Sequence, residues 1–433
     1  LVSDPLNPRR LIGISLVITV AVHAGIWLWT LWRHNSLERF SARGRHILLF
    51  VTGCSVYTLL NAFVLVQGAV GPDGDEPHYL LISHSMWHDG DIDLSNNFLQ
   101  RDYWPFYPRE LPQRSITTGD GHVYSPHGIG LPILILPAYV VGGYAGVVLL
   151  MSVLAALLAL QLYQFVAYVT QDDRTACRTW ILLGFSAPLL IYSSQIYPEL
   201  PAGLISLIVL RHTLQIERVG WFKSILLGML VGALPWLNAR HFILLGALGI
   251  CFGYHIWRTK QYKLSVMYAI PVVCSVCGFL VYNDSIYQTA TPLGGYITEG
   301  GVASHLDFVT QYFDIRGILG IWIDRNCGLL SVSPVYLLAL FGVPIALRAY
   351  SRPFVWVLLI IGLTWISIGF YWGWTGGHAP PPRFLVSVIA LLGLPLAAYL
   401  QQESNRLQRM LLTGLAAMSY TIVMILEIFP YTR

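Results

Sequence analysis

Apolar runs of roughly 17–25 residues, the length that crosses a ~30 Å hydrocarbon layer, recur from one end of the chain to the other and restrict its fold more than any other feature. The 433 residues are 55% hydrophobic and only 11% charged. Soluble domains carry roughly 25% charged residues. The deficit excludes a soluble protein, and no stretch is long or polar enough to form a soluble domain of useful size. We read an all-α, polytopic membrane protein organised as a single domain over residues 1–433. The net charge of +4 gives no indication of nucleic-acid binding.

Hydropathy predicts about twelve spans. Their cores lie near Leu11–Trp32, His46–Val70, Tyr144–Val169, Arg178–Tyr197, Leu200–Leu214 and Trp221–Leu237. The others lie near His241–Trp257, Leu264–Tyr282, Gly328–Leu347, Phe354–Tyr371, Phe384–Leu400 and Met410–Phe429. The first run is too long for a signal-peptide core and reads as a membrane anchor. The chain opens on Leu1 rather than Met, so the N-terminus is expected to be incomplete or processed.

Short loops rich in Lys and Arg stay on the cytoplasmic side. One threading puts every basic loop there: Arg33 to Arg45, Arg174 and Arg178, Arg211 to Lys223, Arg258 to Lys263, Arg348 with Arg352, and Arg406 with Arg409. Arg9 and Arg10 oppose it but are outnumbered. Both termini and two long loops, 71–139 and 283–327, are then extracytoplasmic, as expected for an integral protein of a bacterial plasma membrane with its site facing outward. Of the six cysteines only Cys327 lies near that face, which excludes an external disulfide framework. Cys274 and Cys277 share a helix face and read as packing residues.

The polar clusters all fall on the outer side. Gly71 to Tyr79 follows an apolar helix directly and holds Asp75, Glu76 and His78. Carboxylates beside a low-dielectric region are costly to keep charged. A carboxylate held there suits general-base work, and a solvated helix-end turn is the alternative. Tyr79 to Trp87 is expected to form an amphipathic helix lying in the membrane interface. Asp89, Asp91 and Asp93 alternate as cation ligands can, but Leu94 and Gln100 stand where an EF-hand needs Gly and Glu. They are candidates for a divalent cation, against a plain solvated turn. Tyr124 to Pro132 is a Gly- and Pro-rich turn carrying His127, Glu199 sits at another junction, and Arg240, Arg325 and Arg383 lie at three more. Guanidinium groups grip phosphate bidentately, so three converging arginines would form a phosphate site.

Several segments together resemble the GT-C superfamily of membrane glycosyltransferases, which includes protein O-mannosyltransferases and lipid A aminoarabinose transferases. They are Gly74–Tyr79, Gly90–Leu94, Ser125–Pro132, Tyr197–Glu199, Leu234–Arg240, Asp324–Arg325 with Gly328–Leu330, Ser333–Tyr336, and Trp374–Gly377 ahead of Pro382–Phe384. The similarity runs over roughly Val56 to Leu400 and is strongest to bacterial members. It implies a multi-span fold whose first outer loop bears an acidic motif, with a polyprenyl-phosphate sugar as donor. It sets Asp75 at the catalytic acidic position and Glu76 beside it. One departure is plain: the pattern often reads Gly-Pro-Arg where this chain has Pro381-Pro382-Arg383, and Pro restricts φ where Gly does not.

The expected reaction is an inverting sugar transfer to an acceptor hydroxyl of a glycan, lipid or protein. Asp75 is the general base, and Arg240, Arg325 and Arg383 hold the donor phosphate. His78, His127 and Glu199 orient substrate, and a divalent cation is a candidate cofactor. A transporter would show charges at mid-span and paired broken helices. A non-catalytic GT-C-like subunit of a membrane assembly would keep the fold but cover Asp75.

Overall fold

The structure is a computed structural model that describes Gly25, Thr30 and residues 39–67, 71–118, 121–299 and 313–428. The anchor expected at Leu11–Trp32 lies outside them. The long helices are α1 (Ala42–Gln67), α2 (Glu76–His88), α3 (Gly130–Thr170), α4 (Asp173–Gly184), α5 (Glu199–Thr213) and α6 (Trp221–Leu237). They continue as α7 (Phe242–Thr259), α8 (Tyr262–Tyr287), α9 (Tyr336–Ala349), α10 (Ser351–Gly369), α11 (Gly393–Gln401) and α12 (Arg406–Ile428). The one sheet among the described residues is a two-stranded hairpin, β1 (Ile116–Thr117) antiparallel to β2 (Val123–Tyr124).

The all-helical membrane architecture stands. Among the described residues five helices are long and apolar enough to cross a membrane: Gly130–Thr170, Ala239–Thr259, Tyr262–Tyr287, Ser351–Gly369 and Arg406–Glu427. Trp221–Leu237, Tyr336–Ala349 and Ile389–Gln401 are shorter apolar helices.

The chain divides differently from twelve uninterrupted spans, for identifiable reasons. The run read as Arg178–Tyr197 is helical only to Gly184 and then turns irregularly through a short helix, Leu189–Tyr192. Irregular backbone survives in such surroundings only if other protein groups satisfy it. Here Tyr57 Oη donates to the Gly184 carbonyl at 2.5 Å. Asn61 Nδ2 donates to the Ser193 carbonyl at 3.0 Å, and Ser152 Oγ to the same oxygen at 3.2 Å. The run read as Phe384–Leu400 likewise begins as two 3-10 turns, Arg383–Ser387 and Ile389–Leu392, before α11.

In the other direction, α3 begins at Gly130, well before the expected Tyr144. Its helical geometry breaks at Gly142 and at Gly143, where φ is +55°, a paired-glycine kink. Residues 130–139 of the segment read as the 71–139 loop are therefore helical. The amphipathic helix expected to lie in the interface is α2. It is buried from Glu76 through Ser83 and packs on α3, so protein covers its apolar residues over that stretch, while Trp87 at its end is exposed.

Helices α5, α7 and α10 pack side by side through the bundle, α7 against both others. Each has one end near Asp75's loop and the other near the basic loops. At 1.5 Å per residue, the 18 residues of α7 separate these ends by about 27 Å.

Candidate active site

Asp75 stands just ahead of α2, and its carbonyl accepts from the backbone N–H groups of His78 and Tyr79 at 3.1 and 3.3 Å. Gly74 makes the turn: its φ is +59°, and a Cβ there would lie 2.6 Å from the Tyr197 hydroxyl. That hydroxyl donates to the Asp73 carbonyl at 3.1 Å. The Ser125–Gly130 turn is seated on the C-terminal end of α6. A Cβ on Gly130 would fall 2.6 Å from the Trp236 carbonyl carbon. Tyr287 Oη holds the turn's other end by donating to the Ser125 carbonyl at 2.7 Å. These close approaches bring His127 against Asp75.

The result is a cavity of about 760 Å³ whose wall includes Asp75, His78, His127, Arg114, Arg240 and Arg383. Arg383 Nη1 meets Asp75 Oδ2 at 2.7 Å, and its Nε donates to Glu199 Oε1 at 3.1 Å. Its guanidinium lies over the Tyr197 ring, 4.2 Å from the centroid. Arg114 Nη1 lies 3.4 Å from Asp75 Oδ1, and His127 Nε2 lies 3.8 Å from the same oxygen. Arg240 has no carboxylate partner among the described residues. Its guanidinium rests on Phe384 at 3.8 Å and Tyr371 at 5.0 Å from the ring centroids, a cation held by aromatic faces and open to the cavity.

Burial alone would push the Asp75 carboxyl up, but Arg383, His127 and Arg114 outweigh it and hold the group well below the usual carboxylate range. Burial also works against the charge on Arg383, and Glu199 with Asp75 hold it firmly protonated. Burial, with His127 nearby, pushes His78 down to about 3. His127 is lowered too, by burial first. Near neutral pH Asp75 is thus an anion, Arg383 a cation, and His78 and His127 neutral imidazoles.

Not every residue expected at the site faces this cavity. Glu76 does not line it. Its carboxylate is a strap within the protein, Oε1 accepting from Ile196 N–H at 2.5 Å and Oε2 from Asp73 N–H at 2.9 Å. Glu199 also lies behind the wall, at 2% side-chain exposure, and orients Arg383 rather than an acceptor. Arg325 is exposed on the turn that Asp324 closes by accepting from Asn326 and Cys327 N–H, and it is absent from the cavity wall.

The aspartates weighed as cation ligands hold the loop together. Asp93 accepts from Ser95 N–H, Val123 N–H and His122, Asp91 from Ser85 Oγ and Asp93 N–H, and Asp89 from Asn97. Among the described residues no group of three or more His, Cys, Asp or Glu side chains is placed to hold a metal ion. Sequence reasoning missed Arg114, which belongs to no motif and is separated from Asp75 by 39 residues.

The sequence matches no family profile and no curated protein. In structure the chain is similar to the archaeal oligosaccharyltransferase AglB from Archaeoglobus fulgidus, solved in complex with an inhibitory peptide and a dolichol-phosphate. The TM-score is 0.50 at 12% identity, with 89% of this chain and 56% of that one covered. The chain thus spans little more than half the length of that enzyme. The likeness is one of fold alone.

Proposed function

We propose that the chain is a GT-C-type membrane glycosyltransferase that moves a sugar from a polyprenyl-phosphate donor to an acceptor hydroxyl, with inversion, on the extracytoplasmic side. The observation that carries the reading is one open cavity walled by four guanidinium groups, Arg109, Arg114, Arg240 and Arg383, against three carboxylates, Asp73, Asp75 and Glu299. The leaving phosphate is already stable and needs charge compensation more than protonation, which cations supply. Arg240, with no carboxylate partner among the described residues, is the first anchor for the donor phosphate, with Arg383 and Arg114 completing its shell.

Asp75 is the general base. Held low by its cations, it is a weak base before substrate enters. A dianionic or monoanionic phosphate in the cavity competes for Arg383 and Arg114, loosens their hold on Asp75 and strengthens it as a proton acceptor. The acceptor hydroxyl then attacks the anomeric carbon as its proton passes to Asp75, and the sugar–phosphate bond breaks. His78 and His127, neutral at pH 7, offer hydrogen bonds to the incoming hydroxyl. Because Asp75 opens onto this cavity, the arrangement favours catalysis over a non-catalytic subunit.

The test is transfer from a synthetic polyprenyl-phosphate sugar by the purified protein and its Asp75→Asn and Arg240→Gln variants. General-base assistance is worth about 10²–10⁴-fold, so D75N should lose that much of kcat with its fold intact. R240Q should raise the donor KM. Full transfer by D75N refutes the base assignment.

A further inference from the structure

A second cavity, of about 810 Å³, opens at the opposite end of the bundle. Its wall is built by the α5–α6 connection, the end of α7 and the start of α10, so the helices that reach the Asp75 cavity at one end reach this one at the other. It carries Arg218, Arg258 and Arg352 against a single carboxylate, Glu217. None of the three guanidinium groups has a side-chain ion-pair or hydrogen-bond partner among the described residues. At the same end Arg45 pairs with Asp173 at 2.9 Å and Arg178 with Glu403 at 3.3 Å. Tyr254 and Trp356, ring centroids 5.1 Å apart, form the apolar part of the wall.

We propose that this cavity binds the phosphate headgroup of an anionic membrane lipid. Three guanidinium groups without a side-chain partner among the described residues line one recess, leave it positive despite Glu217, and are the groups that grip phosphate best. A lipid rather than a soluble phosphate fits the surroundings. Trp221 and Trp257 are each 64% exposed and Tyr262 57% exposed at the same end of the bundle, where aromatic rings mark the depth of lipid headgroups. The tilted ring pair of Tyr254 and Trp356 gives the glycerol region an apolar surface. Basic recesses between helices on the positively biased side of a membrane protein are suited to such headgroups. The proposal is independent of the transferase reading, since it uses none of the residues around Asp75.

The test is native mass spectrometry of the purified full chain in detergent, titrated with phosphatidylglycerol or phosphatidylcholine. Two triple variants are compared, R218Q/R258Q/R352Q in the cavity and K260Q/K263Q/R348Q outside it at the same end. Wild type should prefer phosphatidylglycerol. Loss of one surface cation costs roughly fivefold in affinity for an anionic lipid, so the cavity triple should lose roughly a hundredfold. The outer triple should lose much less. Equal losses in the two triples, or equal binding of the two lipids by wild type, overturns the site. Displacement of phosphatidylglycerol by millimolar inorganic phosphate overturns the lipid assignment in favour of a soluble phosphate. If the cavity triple does not fold, R258Q alone should lose roughly fivefold, and unchanged affinity overturns the proposal equally.

Discussion

Replacing Arg383 by Gln tests the electrostatics of the site most directly. The guanidinium bridges Asp75 at 2.7 Å and Glu199 at 3.1 Å, with Glu199 only 2% and Asp75 13% exposed. At an effective dielectric of ~20, each contact near 3 Å represents roughly 5 kcal/mol of gross attraction. Desolvation offsets most of that, so the net worth of the cluster is small while it is whole. Removing only the cation is different, because buried Glu199 then loses its ion-pair partner and Asp75 keeps only Arg114, at 3.4 Å. Breaking a buried pair in this way costs about 3–5 kcal/mol.

Thermal unfolding of R383Q in detergent at pH 7 should show a loss of that size. The double variant E199Q/R383Q should recover part of it, since a neutral amide replaces the stranded charge. The pH dependence has a defined sign. The folded Asp75 carboxyl is held below its unfolded value, so its contribution is fully present above about pH 4 and is lost as pH falls further, through the folded value. The gap between wild type and R383Q should therefore narrow below about pH 4. A loss under ~1 kcal/mol at pH 7, or a double variant less stable than the single one, would refute the reasoning.

Two further substitutions separate scaffold from chemistry. Glu76→Ala leaves the Ile196 and Asp73 N–H groups without their acceptor, which should cost about 1–3 kcal/mol per unsatisfied buried donor and lower activity only in proportion to the folded fraction. If E76A stays fully folded in a melting assay and yet loses transfer, Glu76 has a chemical role after all. Gly130→Ala drives a methyl into the Trp236 backbone and should cost about 1–3 kcal/mol, with His127 displaced from Asp75. A wild-type melting temperature for G130A would show that the Ser125–Gly130 turn is not tightly seated.

The membrane class, the helical content and the outline of the site were legible in the sequence because they rest on local properties. Hydropathy is summed along the chain, so α3, α7, α8, α10 and α12 were all anticipated as spans. The acidic turn and the His127 turn were found because Gly and Pro punctuate them, and Gly74 and Gly130 occupy places where a side chain would collide. The breaks after Gly184 and before Gly393 were not legible. Whether the apolar run after Gly184 stays helical depends on whether Tyr57, Asn61 and Ser152, distant in the chain, can satisfy the freed carbonyls of Gly184 and Ser193.

The sequence alone determined that the chain is a helical membrane protein with acidic and basic groups gathered at helix ends, because burial of apolar runs and the cost of charge in hydrocarbon act residue by residue. Only the tertiary structure decided what each charge does. Asp75 and Glu76 are neighbours in the chain, yet one faces a cavity and the other straps backbone behind it. Arg325 reads like Arg383 but sits outside the cavity wall, whereas Arg114, with no motif to mark it, reaches Asp75. Coulomb forces and hydrogen bonds depend on distances of a few ångströms, and those are set by how the helices pack, not by spacing along the chain.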